Sequence, residues 1–552
     1  MVDILLIQPP IRDFYLTAKR TIPYGLASIA SALIRNGFTV DIFDGLATSK
    51  SRLIEIPSEL LYLKRYYGRS DHSPFALFNE FRHYGYSYGH IGQKTRESGA
   101  FLVGIASLFT PYANEALKTA ERVKAYHPKC KVVIGGHHAT ALPESVMQSP
   151  GVDFVLRGEG EVGMPLLAAA VKNGLPPDGV PGIVLRKSDG SLTINPPVQL
   201  SATERYPIPA LHLIKQKYYR RNKRASTVIV ASRGCPMRCS YCSVGASSHL
   251  AYRRRSVESV MREIKAAVTR YAVGFIDFED ENLSLDREWF LRLLRDIKAT
   301  FGPSRLELRA MNGLYPPSMD EQIISAMQLA GFKTLNLSLG TTDGEQIKRF
   351  RRPDVAKAFD RALHYADKYD LTAVGYVIVG APFQKPEMSV DDLLFLARRR
   401  VLVGVSVFYP SPGSDDYKSC KKLGILPRDF ICMRSAALPL SHTTKRTETI
   451  TLLRLGRLLN FIKYQIDSAG TAHKSFNRKR GQADYRKRNG MDRKLLRSFL
   501  NDGKLLGMTP QGQTFEHTTS HRITRLFRDG LKKISIRGTQ SGGGCRLADL
   551  DI

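Results

Sequence analysis

The stretch Ala231 to Val244 reads ASRGCPMRCSYCSV and sets Cys235, Cys239 and Cys242 in a C-x3-C-x2-C array directly after a short apolar run. Thiolates are preferred ligands of zinc and of iron–sulfur clusters. A structural zinc normally recruits a fourth Cys or His nearby, and His249 is the only such residue in the next few positions. Three cysteines can hold a cubane cluster with one iron open to a small molecule, so the array predicts a catalytic cluster.

This spacing, with Tyr241 immediately before the third cysteine, resembles the signature of the radical S-adenosylmethionine superfamily. The resemblance implies that Cys235, Cys239 and Cys242 hold a 4Fe-4S cluster and that Tyr241 lies beside the adenine of S-adenosylmethionine. In that family the amino and carboxylate groups of S-adenosylmethionine chelate the fourth iron, and one electron from the cluster releases a 5′-deoxyadenosyl radical. The resemblance therefore also implies a one-electron donor, such as a flavodoxin or a ferredoxin.

The composition is that of a globular protein, with 552 residues, 43% hydrophobic and 24% charged, enough for two to four domains. The chain has no apolar run of about 18 residues, and its N-terminus lacks the basic flank of a signal peptide, so we expect a cytoplasmic protein without a membrane span. The seven cysteines are an odd number, and four of them are scattered. This pattern argues against a disulfide framework and favours a reducing compartment.

The formal charge of +31 is compatible with a nucleic acid or anionic partner, or with a solvated basic exterior. Two basic segments, residues 473–494 and 521–533, leave the same two interpretations open. Residues 449–469 have apolar residues at helical spacing, which predicts a helix packed against the rest of the protein, with contact to a membrane surface as the alternative.

The N-terminal part alternates short apolar strands with helical patterns. The predicted strands are residues 3–7, 40–43, 101–107, 131–134 and 152–156, and the helices between them include about 25–37 and 114–125. A hairpin follows around Asp189-Gly190. Continuous apolar strands alternating with helices indicate an α/β fold with a doubly wound parallel sheet, whose ligands bind at the carboxyl ends of the strands.

The turns of this sheet resemble those of the cobalamin-binding domain that precedes many radical S-adenosylmethionine enzymes. A glycine after a buried strand lets the backbone approach a bulky ligand, and a generic flavodoxin-like domain is the plainer interpretation. The resemblance implies cobalamin contacts at Gln8, Pro9, Gly25, Gly104, Gly135, Gly136, His138, Thr140, Gly158 and Glu159.

The lower cobalt ligand departs from the methionine-synthase pattern. That pattern places D-x-H-x-x-G after the first strand, whereas residues Ile11 to Gly25 contain no histidine. We therefore expect cobalamin bound without a histidine ligand from this loop. His137 and His138 follow the fourth strand, where the resemblance suggests that they line the nucleotide tail rather than bind cobalt.

From Ser226 onward the strand and helix alternation begins again. Six βα units, with strands at 228–231, 274–278, 306–310, 334–339, 372–379 and 402–408, resemble the partial (β/α)6 barrel of the radical family. Chemistry in such barrels lies at the carboxyl ends of the strands. The resemblance implies S-adenosylmethionine contacts at Asp280, Asn312 and Gly380, and each of these also suits a turn or a helix cap.

These patterns predict four regions. Residues 1–200 form the cobalamin-binding domain with an insertion at about 48–99, residues 201–225 a linker, 226–426 the radical barrel, and 427–552 a helical, basic C-terminal region. The insertion is aromatic and basic (YLKRYYGRS, FRHYGYSYGHIG), so it either packs against a neighbouring domain, which we favour, or stacks bases.

Together the two resemblances imply a cobalamin-dependent radical enzyme that methylates an unactivated carbon, using a 5′-deoxyadenosyl radical and methylcobalamin. Radical cyclisation or rearrangement without methyl transfer, as in the anaerobic magnesium-protoporphyrin cyclases, is the alternative. RNA modification of the methylthiotransferase kind needs three further N-terminal cysteines, and residues 1–200 contain only Cys130. Cobalamin sensing without catalysis is a fourth class, and the substrate is a small molecule, a lipid, a peptide or, for the cyclisation alternative, a tetrapyrrole-like molecule.

Overall fold

The computed structural model describes residues 1–16, 22–199, 207–221, 223–246, 251–439, 442–470, 489–540 and 543–549. Several positions that the sequence singled out lie outside these ranges, among them His249 and most of the basic run 473–494. The described residues form an open α/β sheet domain, a second α/β body of parallel strands, and a C-terminal region. Within these residues we find no helix of the length and hydrophobicity needed to span a membrane.

The N-terminal domain contains a twisted sheet whose central strands are parallel and whose edge is an antiparallel hairpin. The strand order is that of doubly wound domains, so the predicted fold class is confirmed. In spatial order the strands are Leu192–Ile194, Ile183–Arg186, Phe154–Leu156, Lys131–Gly135, Leu102–Ala106, Ile4–Gln8 and Val40–Asp44.

The sheet is buried on both faces, which explains its continuous apolar strands. In the strand Ile4–Gln8, Ile4 and Leu6 join one core cluster and Leu5 and Ile7 join the other. Helices cover both faces: Tyr24–Arg35, Tyr88–Ser98, Ala113–Tyr126, His137–Ala141, Pro143–Met147 and Gly160–Lys172.

The insertion packs against the region that follows the second body, as predicted. Its strands Ser51–Leu53 and Arg82–Tyr84 pair with Ile11–Asp13, and between them lie a 3-10 helix, Ser58–Leu63, and a short helix, Lys64–Tyr67. The buried side chains of the insertion share one core with residues from beyond the last barrel strand, including Ile431, Ala436, Ala437, Leu438 and Ile450.

The second body consists of parallel strands in two sheets, joined by the bridges Leu308 to Phe332 and Leu314 to Leu337. Its strands, called barrel strands one to six, are Arg224–Ile229, Val273–Phe278, Glu307–Ala310, Thr334–Gly340, Thr372–Val379 and Leu402–Val407. The helices are Val257–Tyr271, Arg287–Phe301, Glu321–Ala330, Gly344–Arg349, Ala356–Lys368 and Pro386–Ala397. Four of these helices begin at a side-chain N-cap, namely Ser256, Asp286, Asp320 and Asp343.

The long helix Arg446–Gly470 packs against barrel strand six, as the helical spacing predicted. Gly456 permits the close approach, because a Cβ atom there would lie 2.6 Å from Val405 Cγ2. The Asn460 side chain accepts a hydrogen bond from Val403 N (2.8 Å) and donates one to Val403 O (2.9 Å). The helix therefore covers an edge strand whose backbone would otherwise stay unpaired.

The described part of the C-terminal region contains several regular elements in addition to the long helix. Helix Asn489–Asp502, hairpin Leu506–Met508 with Thr514–Glu516, and helix His521–Lys532 complete it, together with the short pair Ile536–Arg537 and Gly544–Cys545. The basic helix buries Ile523, Phe527 and Leu531 in the main core. One face of this segment is therefore structural, and only the other is open to solvent.

Candidate active site

The three array cysteines lie in a loop that leaves the carboxyl end of barrel strand one. Two short strands, Ser232–Arg233 and Arg253–Arg254, pair antiparallel at the base of this loop, and we call its described residues, 234–246 and 251–252, the cysteine loop. All three thiols are free. Cys239 is buried, and Cys235 and Cys242 are half-buried.

Backbone and aromatic contacts fix the segment around Cys239. Ser240 N donates to Phe350 O (3.1 Å), and Cys242 N donates to Cys239 O (3.1 Å). The Tyr241 ring meets Phe350 edge-on, with 5.0 Å between the ring centroids. Burial raises the pKa of the Cys239 thiol, and the guanidinium of Arg352 acts in the opposite direction. The array therefore has a cation beside one of its sulfurs.

Arg352 is a site residue that the sequence did not reveal. Its Nη1 donates to Tyr241 Oη (2.7 Å) and to Ser338 Oγ (3.0 Å), and its Nη2 donates to Ser338 O (3.1 Å). Gly340, which has φ +83°, lies beside it, and a Cβ atom there would be in ordinary contact, 3.6 Å from Arg352 Nη1. The weak signals in the sequence are the basic run RFRR at 349–352 and Gly340 at the end of barrel strand four.

These residues fit an iron–sulfur cluster with a polar ligand. The three thiols of the array are free, and thiolates are the ligands that iron–sulfur clusters take. Two buried polar atoms nearby, Arg352 Nε and Asn282 Oδ1, have no hydrogen-bond partner in the structure and could meet a bound polar molecule.

Asp280 supports the base of the cysteine loop. Its Oδ1 accepts from Ser232 Oγ (2.6 Å) and its Oδ2 accepts from Ala231 N (3.2 Å), and the residue is 3% exposed. Burial raises the pKa of Asp280 to about 6. Both oxygens therefore hold the base of the loop, and the S-adenosylmethionine contact of Asp280 stays a prediction.

The other two predicted S-adenosylmethionine residues differ in position. Asn312 is exposed after barrel strand three, and its Nδ2 donates to Glu279 O (2.9 Å) across the carboxyl edge. Gly380, with φ +74°, faces the long helix, since a Cβ atom there would lie 3.4 Å from Thr449 Oγ1. Asn312 is thus on the edge where a ligand would bind, and Gly380 borders the covering helix.

Most of the predicted cobalamin residues gather at the carboxyl edge of the N-terminal sheet. Gly136 has φ +113°, and a Cβ atom there would lie 2.6 Å from Ser107 O, so only glycine fits. Gly25, in the first turn of its helix, has open space around it. Gly104 is a correction: it lies inside its strand, where the missing Cβ makes room for Leu6 Cδ2 (2.8 Å) and Met164. The residues at the edge are Gln8, Pro9, Gly135, Gly136, His138, Thr140, Gly158 and Glu159.

His138 is enclosed at this edge. Its Nδ1 lies 3.3 Å from Thr110 Oγ1, and its ring meets Phe430 edge-on at 4.9 Å. Burial lowers the pKa of His138 to about 4, so the imidazole is neutral at physiological pH. Nearby, Thr140 Oγ1 accepts from Gly158 N (3.1 Å), which ties the two predicted cobalamin turns together.

Glu159 has protein partners that the sequence did not suggest. Its two carboxylate oxygens accept from Arg253 (2.6 and 3.3 Å), and Glu161 accepts from Arg233 (2.6 Å). Both arginines stand on the strands that close the cysteine loop. The carboxyl edge of the N-terminal sheet therefore faces the carboxyl edge of barrel strand one.

Further buried contacts hold the two bodies in this relation. Tyr24 Oη donates to Glu263 Oε1 (3.0 Å), and the other Glu263 oxygen accepts from Arg255 Nη1 (2.5 Å). Beyond the barrel, Arg434 Nη1 pairs with Asp13 Oδ2 (2.9 Å), with both side chains nearly inaccessible. Ligands bound at the two edges would therefore share one space.

Two family models match the chain. The B12 binding domain matches residues 60–168, and the radical SAM superfamily matches residues 229–396. The chain thus carries a B12-binding domain followed by a radical SAM domain.

Similar proteins carry the same pair of cofactors or related chemistry in their names. The chain is 25% identical to the cytidylyl-2-hydroxyethylphosphonate methyltransferase of Streptomyces wedmorensis over 77% of this chain and 82% of that protein. It is 28% identical to the anaerobic magnesium-protoporphyrin IX monomethyl ester cyclase of Rubrivivax gelatinosus, over 57% of each chain. The fold matches the cobalamin-dependent S-adenosylmethionine radical enzyme OxsB, solved with aqua-cobalamin and S-adenosylmethionine, at a TM-score of 0.64 and 14% identity, over 90% of this chain and 72% of that one.

Proposed function

We propose that this chain, which joins a B12-binding domain to a radical SAM domain, is a cobalamin-dependent radical enzyme that methylates an unactivated carbon. One observation carries the proposal: Glu159 and Glu161, at the carboxyl edge of the N-terminal sheet, contact Arg253 and Arg233 at the base of the cysteine loop. The two cofactor edges therefore face each other. The named methyltransferase among the similar proteins supports the same reaction class.

The cofactors supply the difficult chemistry: a reduced 4Fe-4S cluster with S-adenosylmethionine provides a 5′-deoxyadenosyl radical, and cobalamin carries a methyl group. Cys235, Cys239 and Cys242 would hold the cluster. Arg352 anchors Tyr241 beside Cys239 and keeps a buried positive charge there. We assign to these two residues the task of orienting the polar groups of S-adenosylmethionine next to the array.

The corrin would lie against the glycine-rich edge of the N-terminal sheet. Gly136 lets the backbone pass close to the neighbouring turn, and Gly25 leaves open space at the start of its helix. His138, buried and neutral, would line the nucleotide tail. The sequence from Ile11 to Gly25 contains no histidine, so this loop would supply none to cobalt. Glu159 would lie at the same edge, with its carboxylate bound to Arg253.

The electron for the cluster requires an external donor, for which a flavodoxin or a ferredoxin is suited. The free cysteines fit a reducing compartment such as the cytoplasm. The substrate would be a small molecule, a lipid or a peptide that enters between the two carboxyl edges.

The similarity to the magnesium-protoporphyrin cyclase favours a second reaction with the same cofactors. Radical cyclisation removes hydrogen or changes oxygen content, a rearrangement leaves the composition unchanged, and neither adds a methyl group. The mass of the product therefore separates the two reactions.

The test is an anaerobic reaction of the reconstituted protein, methyl-labelled S-adenosylmethionine, a reductant and an extract of the source cells. We expect one extract molecule to gain the labelled methyl group together with release of 5′-deoxyadenosine. Release of 5′-deoxyadenosine with an unlabelled product of altered hydrogen or oxygen content would favour cyclisation. Absence of both products would contradict the proposal.

A further inference from the structure

The turn Arg157 to Glu161, RGEGE, is the most complete link between the two cofactor domains. Gly158 has φ +77°, and a Cβ atom there would lie 2.7 Å from Pro197. At Gly160 a Cβ atom would lie 2.6 Å from Ile29 Cδ1. Gly158 is therefore required by its backbone conformation and by Pro197, whereas a side chain at Gly160 would have to displace the end of the Ile29 side chain. The two glutamates project instead toward the cysteine loop.

Four side chains form this link, which we call the Glu–Arg cluster. Arg253 Nη2 lies 2.6 Å from Glu159 Oε1, Arg233 Nη2 lies 2.6 Å from Glu161 Oε1, and Arg233 Nη1 lies 3.4 Å from Glu159 Oε1. The side chains of Glu159, Glu161 and Arg253 are 6%, 7% and 11% exposed. These are mostly buried, charge-assisted contacts, which contribute more than surface pairs.

The register of the loop-closing strands makes the cluster necessary. Arg233 stands directly opposite Arg253, and Ser232 stands opposite Arg254. Like charges directly opposite each other destabilise an antiparallel pair. The ladder has only these two residue pairs, so it has little other pairing to offset the repulsion. The carboxylates of Glu159 and Glu161, supplied by the other domain, neutralise both guanidiniums.

The opposite face of the same strands is held from within the barrel. Ser232 Oγ donates to Asp280 (2.6 Å), and Arg254 Nε lies 2.8 Å from Asp286 Oδ2. The Arg254 and Asp286 side chains are 42% and 34% exposed, so this pair is a surface pair of small expected effect. It provides a matched control on the same two-residue strand.

We propose that Glu159 and Glu161 are positioning residues that make closure of the cysteine loop depend on the N-terminal domain. With their carboxylates present, Arg233 and Arg253 pair and the three cysteines are held at the corrin-facing edge. Without them the arginines repel each other, the ladder opens, and the cysteines lose their fixed spacing. The proposal rests on the proposed function, in which the cysteine loop holds the cluster and the carboxyl edge of the N-terminal sheet holds cobalamin.

The first test uses the full-length protein without cofactors and measures hydrogen–deuterium exchange of residues 232–246. We expect the double variant E159Q/E161Q to exchange there about tenfold faster or more, because buried charges lose their partners. D286N should stay within about twofold of wild type, as for a surface pair. Equal exchange in wild type and in E159Q/E161Q would overturn the proposal.

A third variant separates electrostatic from purely steric effects. In E159Q/E161Q/R233Q the opposed positive charges are gone, so we expect residues 232–246 to recover part of their protection relative to E159Q/E161Q. Further loss of protection in this triple variant would contradict the repulsion argument. Such recovery would not be expected if the glutamates served only as packing groups.

The second readout is spectroscopic. We expect E159Q/E161Q to take up hydroxocobalamin with the corrinoid absorption bands of wild type, and to incorporate less iron per chain under anaerobic reconstitution. Wild-type protein that takes up neither iron nor cobalamin would refute the proposed function itself. Wild-type protein that takes up both, with an E159Q/E161Q variant that incorporates iron equally well, would refute only the role of the glutamates.

Discussion

At the scale of single residues, Arg352 has the largest predicted effect on the array after the cysteines themselves. It holds Tyr241 Oη and Ser338 with charge-assisted hydrogen bonds and places its cation beside Cys239. A hydrogen bond to a charged group contributes ~1.5–3 kcal/mol. Loss of one such contact corresponds to about a tenfold to hundredfold change in rate.

We therefore expect Arg352→Gln to lower the rate of 5′-deoxyadenosine formation by about tenfold or more in the reconstituted enzyme. The matched control is Arg351→Gln, which removes an exposed pair with Asp415 and should leave the rate nearly unchanged. The rates are compared by chromatography at equal iron content. Equal rates of 5′-deoxyadenosine formation in the two variants would mean that Arg352 has no role at the site.

Asp280 gives a prediction for pH dependence. Its pKa is raised to about 6 by burial, against an ordinary value of 3.8. Between these values the folded protein binds more protons at this residue than the unfolded chain does, so its contribution to stability falls as pH rises through that window. The loss amounts to roughly 3 kcal/mol.

We expect Asp280→Asn to remove this dependence, because Asn can still accept from Ala231 N and donate to Ser232 Oγ. The difference in unfolding free energy between variant and wild type, measured in urea from pH 4.5 to 7, should move in favour of the variant as pH rises. A difference that is constant across this range would mean that Asp280 has an ordinary pKa.

Residue patterns predicted the array but not its surroundings. The cysteines lie within eight positions of one another, so their spacing is visible in the sequence. Tyr241 and Arg352 are 111 positions apart, and their contact depends on how barrel strand four meets the cysteine loop. Asp280 was found by its place after barrel strand two, yet its actual partner, Ser232, follows from the fold of a hairpin too short to recognise.

At the scale of elements, the edge of barrel strand six depends on one side chain. Asn460 satisfies both the N–H and the C=O of Val403, as a further strand would. A buried polar group left without a partner costs about 1–3 kcal/mol. We expect Asn460→Leu to lower the free energy of unfolding by roughly 2–5 kcal/mol.

Equilibrium unfolding in urea measures this loss, and hydrogen–deuterium exchange should place it in residues 402–407. Arg457→Ala, an exposed change on the same helix, is the control and should cost little. If Asn460→Leu unfolds at the urea concentration of this control, the long helix does not protect the strand edge.

Periodic elements were predictable because their apolar faces are regular. The apolar spacing predicts a helix over residues 257–271, and helix Val257–Tyr271 has these bounds. The spacing also predicts a helix over residues 319–330, which begins at Glu321, after the 3-10 helix Pro316–Ser318 and the N-cap Asp320. Helix Tyr88–Ser98 in the insertion was not predicted: its composition is polar and includes Gly92, which the packing of the Tyr126 ring requires.

At the scale of the whole molecule, Asp71 joins three distant parts of the chain. Its Oδ1 accepts from Met508 N (3.0 Å) in the C-terminal hairpin. Its Oδ2 meets His517 Nε2 (2.9 Å) and lies 3.6 Å from Arg454 of the long helix. Burial alone would raise the pKa of Asp71, but the hydrogen bonds to its carboxylate outweigh burial, so the pKa is lowered.

We expect Asp71→Asn to destabilise this junction by about 3–5 kcal/mol, because it leaves Arg454 buried without its counter-charge. Faster hydrogen–deuterium exchange in residues 505–517 would show the effect. Asp189→Asn, in an exposed hairpin turn, serves as the control. Unchanged exchange at residues 505–517 would mean that the hairpin is held by apolar packing alone.

The relation between the bodies was beyond sequence reasoning. Each domain could be predicted from local turns and periodicity, whereas contacts such as Glu159 with Arg253 span 94 positions and use residue types common on any surface. The insertion and the C-terminal helices likewise gain their order from apolar residues of other regions. Long-range docking is decided by three-dimensional complementarity, which a single sequence does not display.

The proposed function requires that a cluster on the three cysteines cleaves S-adenosylmethionine next to a separate cobalamin site. The most direct test is to measure 5′-deoxyadenosine formation by wild type and by Cys239→Ala, each reconstituted anaerobically with iron, sulfide and hydroxocobalamin. We predict that wild type releases 5′-deoxyadenosine under reduction, and that Cys239→Ala releases none while keeping the corrinoid absorption bands. Undiminished cleavage in Cys239→Ala, or loss of the corrinoid together with the cluster, would contradict two separate cofactor sites on facing edges.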